Sequence, residues 1–226
     1  MLTFISFLWV QPGYHTRYTD EHARRWARMI RRHYAGDHRI VLVTDETGDY
    51  GDIEVQPLGT VHSELANPHG PGLPSCYRRL CIWAPDAAKR FGDRMLLLDL
   101  DCTILRDLSP LVNRSDDVVF WRDPSYPIQP YNGGMILLRA GSRPQVWDRF
   151  LGEASIREAS RAGYKGSDQA WISHCLGRNE SVWTSSDGVV SWKRDLRRGP
   201  PRAGDRVVMF HGKDKPWHEG MPAALR

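Results

Sequence analysis

Along this chain, unbroken apolar runs of about five residues alternate with segments whose apolar positions recur every three or four residues. That is the pattern of buried strands separated by amphipathic helices. Residues 2–10 predict a first strand, closed by the turn signal Gln11-Pro12-Gly13. Over 20–34, Ala23, Trp26, Ala27, Ile30 and Tyr34 fall on one helical face. Thr19 is placed to cap this helix, Asp20 and Glu21 occupy its first turn, Arg31 to His33 its last, and Gly36 stops it. Arg39–Thr44 predicts a second buried strand, followed by Asp45, and a short strand falls near Ile53–Gln56. Strand–helix–strand with short links is the opening of a nucleotide-binding α/β sheet.

Residues 59–74, rich in Gly, Pro, His and Asn, predict a loop, and a helix follows over 75–91 with Pro85 placed to break it. Met95–Leu98, Asp117–Trp121 and Met135–Leu138 predict further buried strands. The loop RDPSYPIQPYNGG separates the last two, 143–159 reads as helical, and Ser167 is placed to cap a helix beginning Asp168-Gln169. A last strand over Val207–Phe210 runs into His211 and a tail containing Lys215-Pro216-Trp217. No connection is long enough to be a domain linker, so the 226 residues fit one domain.

The strand over 95–98 stops abruptly in Asp99-Leu100-Asp101. On an extended chain, side chains at that spacing lie on one side, so both carboxylates are expected to address one cation. Ligands of open α/β sheets bind at this strand end, which makes the pair a metal-site candidate. Three further polar clusters stand at element ends: Asn132-Gly133-Gly134, Asp168-Gln169 and His211.

Composition narrows the choice of partner. The formal charge is +4, with arginines scattered in pairs such as Arg24-Arg25, Arg31-Arg32, Arg78-Arg79 and Arg197-Arg198. Without one basic stripe, nucleic acid is not expected, while a small anion such as a nucleoside diphosphate suits the mild positive field. Cys76, Cys81, Cys102 and Cys175 show neither zinc spacing nor a disulfide framework, so reduced thiols are expected. No apolar run reaches the roughly 20 residues of a transmembrane helix. The opening MLTFISFLWV lacks a basic start and a small-residue cleavage site. A soluble, cytoplasmic protein is the expectation.

Taken in order, RRLCIW, LLLDLDCTIL, YNGGMILL, GSDQAW and FHGKDKPW resemble the motifs of family 8 glycosyltransferases, the glycogenin and lipopolysaccharide galactosyltransferase group. The correspondence covers roughly residues 77 to 217. It implies a GT-A domain, a Rossmann-like mixed, mostly parallel central sheet flanked by helices. Residues 1–110 would form its nucleotide-binding half and 111–226 its donor-sugar and acceptor half. It also implies transfer of a sugar from a nucleoside diphosphate donor, a UDP-sugar, to a saccharide, protein or other hydroxyl acceptor, with retention.

By the same resemblance Asp99, Asp101 and His211 would hold Mn²⁺ or Mg²⁺, with Asp99 also touching the ribose. Two carboxylates and an imidazole suit Mn²⁺ better than Ca²⁺. Arg79 and Lys215 would each set a cation against the phosphates. Asn132, with the backbone freedom of Gly133 and Gly134, would approach the donor sugar, and Asp168 and Gln169 would face the anomeric carbon. If the reaction inverted, Asp168 would be the candidate base. His211 and Lys215 stand two residues closer than in glycogenin-like members, which puts the reach of Lys215 in question. Trp121, Trp192 and Trp217 are candidates for stacking on an acceptor sugar.

Two alternatives begin at the same residues. DLDCTIL also fits the Asp-x-Asp-x-Thr pattern of haloacid-dehalogenase phosphatases, with Asp99 as nucleophile. That family places the motif on its first strand and needs a downstream lysine and acidic pair, which are not evident here. The other alternative is a catalytically inactive nucleotide- or sugar-binding domain of the same fold.

Overall fold

The computed structural model describes residues 1–226 except Pro12, His15, Pro71 and Arg198. The turn expected at Gln11-Pro12-Gly13 and the pair Arg197-Arg198 each include one of these, and so lie outside the described residues. In chain order the strands are β1 (Leu2–Leu8), β2 (His38–Thr44), β3 (Glu54–Gln56), β4 (Arg94–Leu98), β5 (Thr103–Ile104), β6 (Val118–Arg122), β7 (Tyr131–Arg139), β8 (Ser181–Trp183), β9 (Val189–Ser191) and β10 (Val207–Met209). A seven-stranded sheet has the order β3-β2-β1-β4-β7-β6-β8, and a three-stranded sheet has the order β5-β10-β9.

Within the large sheet every neighbouring pair is parallel except β4–β7 and β6–β7. β7 therefore runs against the others, and its start lies at the edge where the parallel strands end. Leu98 pairs with Met135, and one residue further the Asp99 N–H donates to the Gly134 carbonyl at 2.9 Å. This is the mixed, mostly parallel α/β sheet flanked by helices that the sequence predicts.

The pleat explains why the predicted strands read as unbroken apolar runs. On β4, Leu96 and Leu98 enter the core that holds Trp26 and Ile30 of α1 (Asp20–His33), while Met95 and Leu97 enter the core on the opposite face. That second core holds Tyr77 and Leu80 of a 3₁₀ helix (Tyr77–Trp83) and Trp171 of α6 (Asp168–Leu176). Each such Leu, Ile or Met contributes about 1.5–3 kcal/mol by leaving water.

Several boundaries differ from the predicted ones for identifiable reasons. α1 ends at His33, with Tyr34 already extended, before Gly36 is reached. The helix expected over 75–91 splits at Pro85 into the 3₁₀ helix and α2 (Ala87–Phe91), since proline supplies no N–H. The helix expected over 143–159 divides into α4 (Gln145–Asp148) and α5 (Glu153–Arg161), separated by Gly152 at φ 61°. Between β5 and β6 lies the short α3 (Ser109–Val112). Strand β7 begins at Tyr131, so Asn132-Gly133-Gly134 lies within a strand and not before it. β5, β8 and β9, at two or three residues, are too short to leave an alternation, and the sequence did not predict them. All four cysteines are free thiols.

Candidate active site

The parallel strands end on a cavity of about 300 Å³ lined by Asp99, Asp101, Asp168, His211 and Lys215, among others. Its charged wall is assembled from segments far apart in sequence.

Beyond Leu98 the chain turns, and the Cys102 N–H reaches back to the Asp99 carbonyl at 3.3 Å. Asp99 and Asp101 are thus not on one extended face, as their spacing suggested; the turn sends them to different partners. Asp99 Oδ1 accepts from Arg79 Nη1 at 2.6 Å. Asp101 Oδ2 accepts from Lys215 Nζ at 2.5 Å and from the Tyr18 hydroxyl at 2.9 Å. The Lys215–Asp101 pair is enclosed, with side chains 2% and 6% exposed. The shortened His211-to-Lys215 interval therefore still lets Lys215 reach this strand end.

Arg79 is the centre of the second cluster. Besides Asp99, it donates from Nε to Asp168 Oδ2 at 2.8 Å and from Nη2 to the Gly133 carbonyl at 2.6 Å. Its guanidinium, expected to face phosphates, is taken up by protein acceptors. Burial works against this charge, but Asp168 and Asp99 more than offset it, so its pKa is raised. Burial pushes the Asp99 carboxyl up to about 6, with Asp101 and Asp168 reinforcing the rise and Arg79 opposing it.

The two glycines are required by space, not by backbone freedom. A Cβ on Gly133 would sit 2.4 Å from Arg79 Nη2, and one on Gly134 would sit 2.9 Å from Asp99 Oδ2. Asn132, just before them, is anchored: its Nδ2 donates to Asp123 Oδ2 at 2.9 Å, and its Oδ1 accepts from the Gly134 N–H at 2.9 Å. Gln169 borders the same strand, its Oε1 accepting from the Gly133 N–H at 3.4 Å and its Nε2 donating to Asp123 at 3.5 Å.

Asp168 and Gln169 open α6 as predicted. Ser167 does not cap it, because the Ser167 hydroxyl accepts instead from the Cys76 N–H at 2.9 Å. That bond ties the start of α6 to the segment carrying Arg79. His211 follows β10, and its Nε2 lies 2.7 Å from the Ser191 hydroxyl at the end of β9. Burial, then Lys193, hold the imidazole below its ordinary pKa, favouring the neutral form. Lys215 goes the other way: burial alone would lower its pKa, and Asp101 raises it.

Two participants were not singled out from sequence. Asp123 follows β6 as Asp99 follows β4, so the rule that found Asp99, an acid closing a buried strand, would have found it too. Ser191 carried no local signal. Tyr18 belongs to the stretch 14–18, which the resemblance puts where the nucleotide base is expected without assigning residues there. Of the tryptophans, Trp121 is 4% exposed and part of the core, so it offers no free face to an acceptor. Trp217 packs against His22 and Tyr18 at ring separations of 3.9 and 5.8 Å, and Trp192 stacks on Phe210 at 5.8 Å.

Among the described residues, no three His, Cys, Asp or Glu side chains already converge as a set that could hold a metal ion. Nor is any helix among them long and apolar enough to cross a membrane.

Comparison with known proteins places this architecture. No family model and no curated protein matches the sequence. Solved structures do match in fold. The chain aligns with the glycosyltransferase GlyE of Streptococcus pneumoniae TIGR4 at TM-score 0.63 and 13% identity, over 98% of this chain and 57% of that one. It aligns with the galactosyltransferase LgtC, solved with donor and acceptor sugar analogs, at TM-score 0.62 and 15% identity, over 96% and 90% of the two chains. For mouse xyloside xylosyltransferase 1 the values are 0.55 and 13%, over 93% and 96%. The fold is thus the GT-A fold of glycosyltransferases. The chain spans little more than half the length of GlyE and most of LgtC.

Proposed function

We propose that this protein is a metal-dependent glycosyltransferase that moves a sugar from a UDP-sugar to a hydroxyl-bearing acceptor with retention of configuration. The observation that carries the reading is convergence. Asp99, Asp101, His211, Lys215, Asp168 and Gln169 line one cavity at the strand ends of a GT-A sheet.

In this reading the nucleotide diphosphate lies beside Asp101 and Lys215, and Lys215 supplies a cation to the leaving diphosphate. Mn²⁺ or Mg²⁺ would be held by Asp99, Asp101 and His211, and would act as a Lewis acid on the diphosphate oxygens. The donor set suits such an ion in kind: two carboxylates and an imidazole kept neutral by its surroundings. Asp101 Oδ2 already accepts from Lys215 and Tyr18.

The rest of the cluster positions the sugar. Asp123 fixes the amides of Asn132 and Gln169 beside the cavity. Arg79 holds Asp99 and Asp168 in fixed orientation while balancing their charge. Asp168 and Gln169 then face the anomeric carbon, with the acceptor hydroxyl entering from the open side.

The test is incubation with a panel of UDP- and GDP-sugars plus Mn²⁺, following released nucleoside diphosphate, with the product anomer read by NMR. Turnover that needs metal and collapses in Asp101→Ala is expected. Phosphomonoester hydrolysis without donor turnover would instead support the phosphatase reading. Tight nucleotide binding without turnover in any donor and acceptor mixture would support a binding domain.

A further inference from the structure

Unpaired positive charge gathers on one turn at the rim of the cavity. Residues 191–213 hold seven lysines and arginines against two aspartates. Those aspartates take backbone partners instead: Asp195 Oδ2 accepts from the Ser191 N–H and Asp205 Oδ2 from the Arg202 N–H, each at 2.7 Å. Helix α1 carries a comparable basic run, but there Arg24, Arg28 and Arg31 each pair with an acid. Lys193, Arg194 and Arg197 are exposed and have no ion pair among the described residues.

Uncharged neighbours fix this turn against the cavity. Trp192–Leu196 is a single π-helical turn, which Ser191 caps by accepting from the Arg194 N–H at 3.2 Å. The same hydroxyl lies 2.7 Å from Nε2 of His211, a cavity-lining residue. Trp192 stacks at 5.8 Å on Phe210, which also lines the cavity, and Leu196 is buried in the small core beside it. After burial, Lys193 and then Arg194 hold the His211 pKa down, so both charges act across the rim. The deeper cations are already engaged, Lys215 by Asp101 and Arg79 by Asp99 and Asp168. Lys193 and Arg194 are free to receive an anion.

We propose that the acceptor is an anionic saccharide, one carrying a phosphate or carboxylate group, and that Lys193 and Arg194 receive that group at the cavity rim. A guanidinium matches either group with two parallel bonds, and an ammonium adds a compact charge on a flexible stem. The sugar ring then extends past His211 and directs a hydroxyl into the cavity. Exposed charge pairs are individually weak and screened by salt, so the selection needs both cations and fades as salt rises. This inference rests on the transferase reading for calling the saccharide an acceptor. The preference for negative charge rests on the rim itself.

The test measures binding of galactose 6-phosphate, glucuronic acid and uncharged galactose to the full-length protein by calorimetry with UDP present. Wild type is compared with the double variant Lys193→Gln/Arg194→Gln. Arg194 serves the turn through its backbone N–H, so the variant keeps the cap, and far-UV CD and thermal melts check its fold. If it does not fold, either single substitution is expected to reduce the preference. At low salt, wild type is expected to bind both anionic sugars at least about fivefold more tightly than galactose, and the double variant to lose that preference. UDP affinity is expected to stay the same. Equal binding of charged and neutral sugars by wild type, or binding of none, would overturn the proposal, as would a preference that survives in the double variant. A parallel loss of UDP binding would overturn it by placing the two cations on the donor. Inorganic phosphate binding as tightly as galactose 6-phosphate would reduce the rim to a bare anion site. Vesicles of phosphatidylglycerol and phosphatidylcholine form the last arm. Vesicle binding that needs the two cations, with no sugar preference, would assign the rim to a membrane surface and end the acceptor reading. Failure of UDP to bind wild type is a separate result. It would sink the donor assignment, while the same sugars titrated without UDP would still decide the charge preference.

Discussion

Gly133→Ala is the sharpest probe of the Arg79 cluster, because the added methyl meets two well-held groups, the Arg79 guanidinium and the Asp168 carboxylate. Its Cβ would fall 2.4 Å from Arg79 Nη2 and 3.3 Å from Asp168 Oδ2. Comfortable carbon–nitrogen contact needs about 3.5 Å, so the guanidinium has to retreat by about 1 Å. A long side chain at the surface would do so at little cost. Here Nη2 bonds the Gly133 carbonyl at 2.6 Å and Asp168 at 2.7 Å, while Nη1 bonds Asp99 at 2.6 Å. A 1 Å retreat stretches at least one buried, charge-assisted bond past useful length, which together with overpacking costs about 2–4 kcal/mol. For a chain of this size that lowers the melting temperature by roughly 4–16 °C. It also displaces Asp99 and Asp168, and misplacement on that scale reduces kcat/KM by about 100-fold. Calorimetry and donor-turnover assays measure the two effects. Gly204→Ala, whose Cβ meets nothing within 4 Å, is the control. Wild-type stability and turnover in Gly133→Ala would refute the view that Arg79 is locked by its three acceptors.

Further outcomes follow from the same contacts. Asp123→Ala frees the Asn132 and Gln169 side chains and is expected to lower turnover about tenfold at a stability cost of about 1–3 kcal/mol, read by steady-state kinetics and thermal melts. Trp171→Ala empties a 1%-exposed site and loses the Nε1 bond to the Val146 carbonyl at 2.8 Å, for about 3–5 kcal/mol and a melting point lower by roughly 6–20 °C. Asp116 is pulled down to about 2 by Arg114 and the Ser181 hydroxyl, which ties β8 to the segment leading into β6. A carboxyl depressed on folding contributes stability above its unfolded pKa of about 4 and loses it as pH falls toward 2, about 2 kcal/mol in all. Asp116→Asn is expected to remove that acid dependence, flattening this part of the pH–stability curve measured by urea melts.

The division between sequence and structure runs along the range of the interactions involved. Strands β1, β2, β4 and β6 and helix α1 were legible because burial on two faces, or on one helical stripe, writes itself into consecutive residues. Asp99, Asp168 and His211 were legible because polar residues ending buried elements break that pattern at a recognisable point. The pairings were not. Arg79 meets Asp168 across 89 positions and Lys215 meets Asp101 across 114, and no local periodicity encodes which cation takes which carboxylate. Nor does it encode that β7 runs backward between β4 and β6, which brings Gly134 to the cavity and Gly133 against Arg79, and makes their missing side chains a matter of space. Local composition thus determined that a charged site would stand at the ends of these strands. Only the tertiary structure decided that Asp99 and Asp101 part company at a turn, one to an arginine and one to a lysine, because that choice depends on distances between segments that meet only after folding.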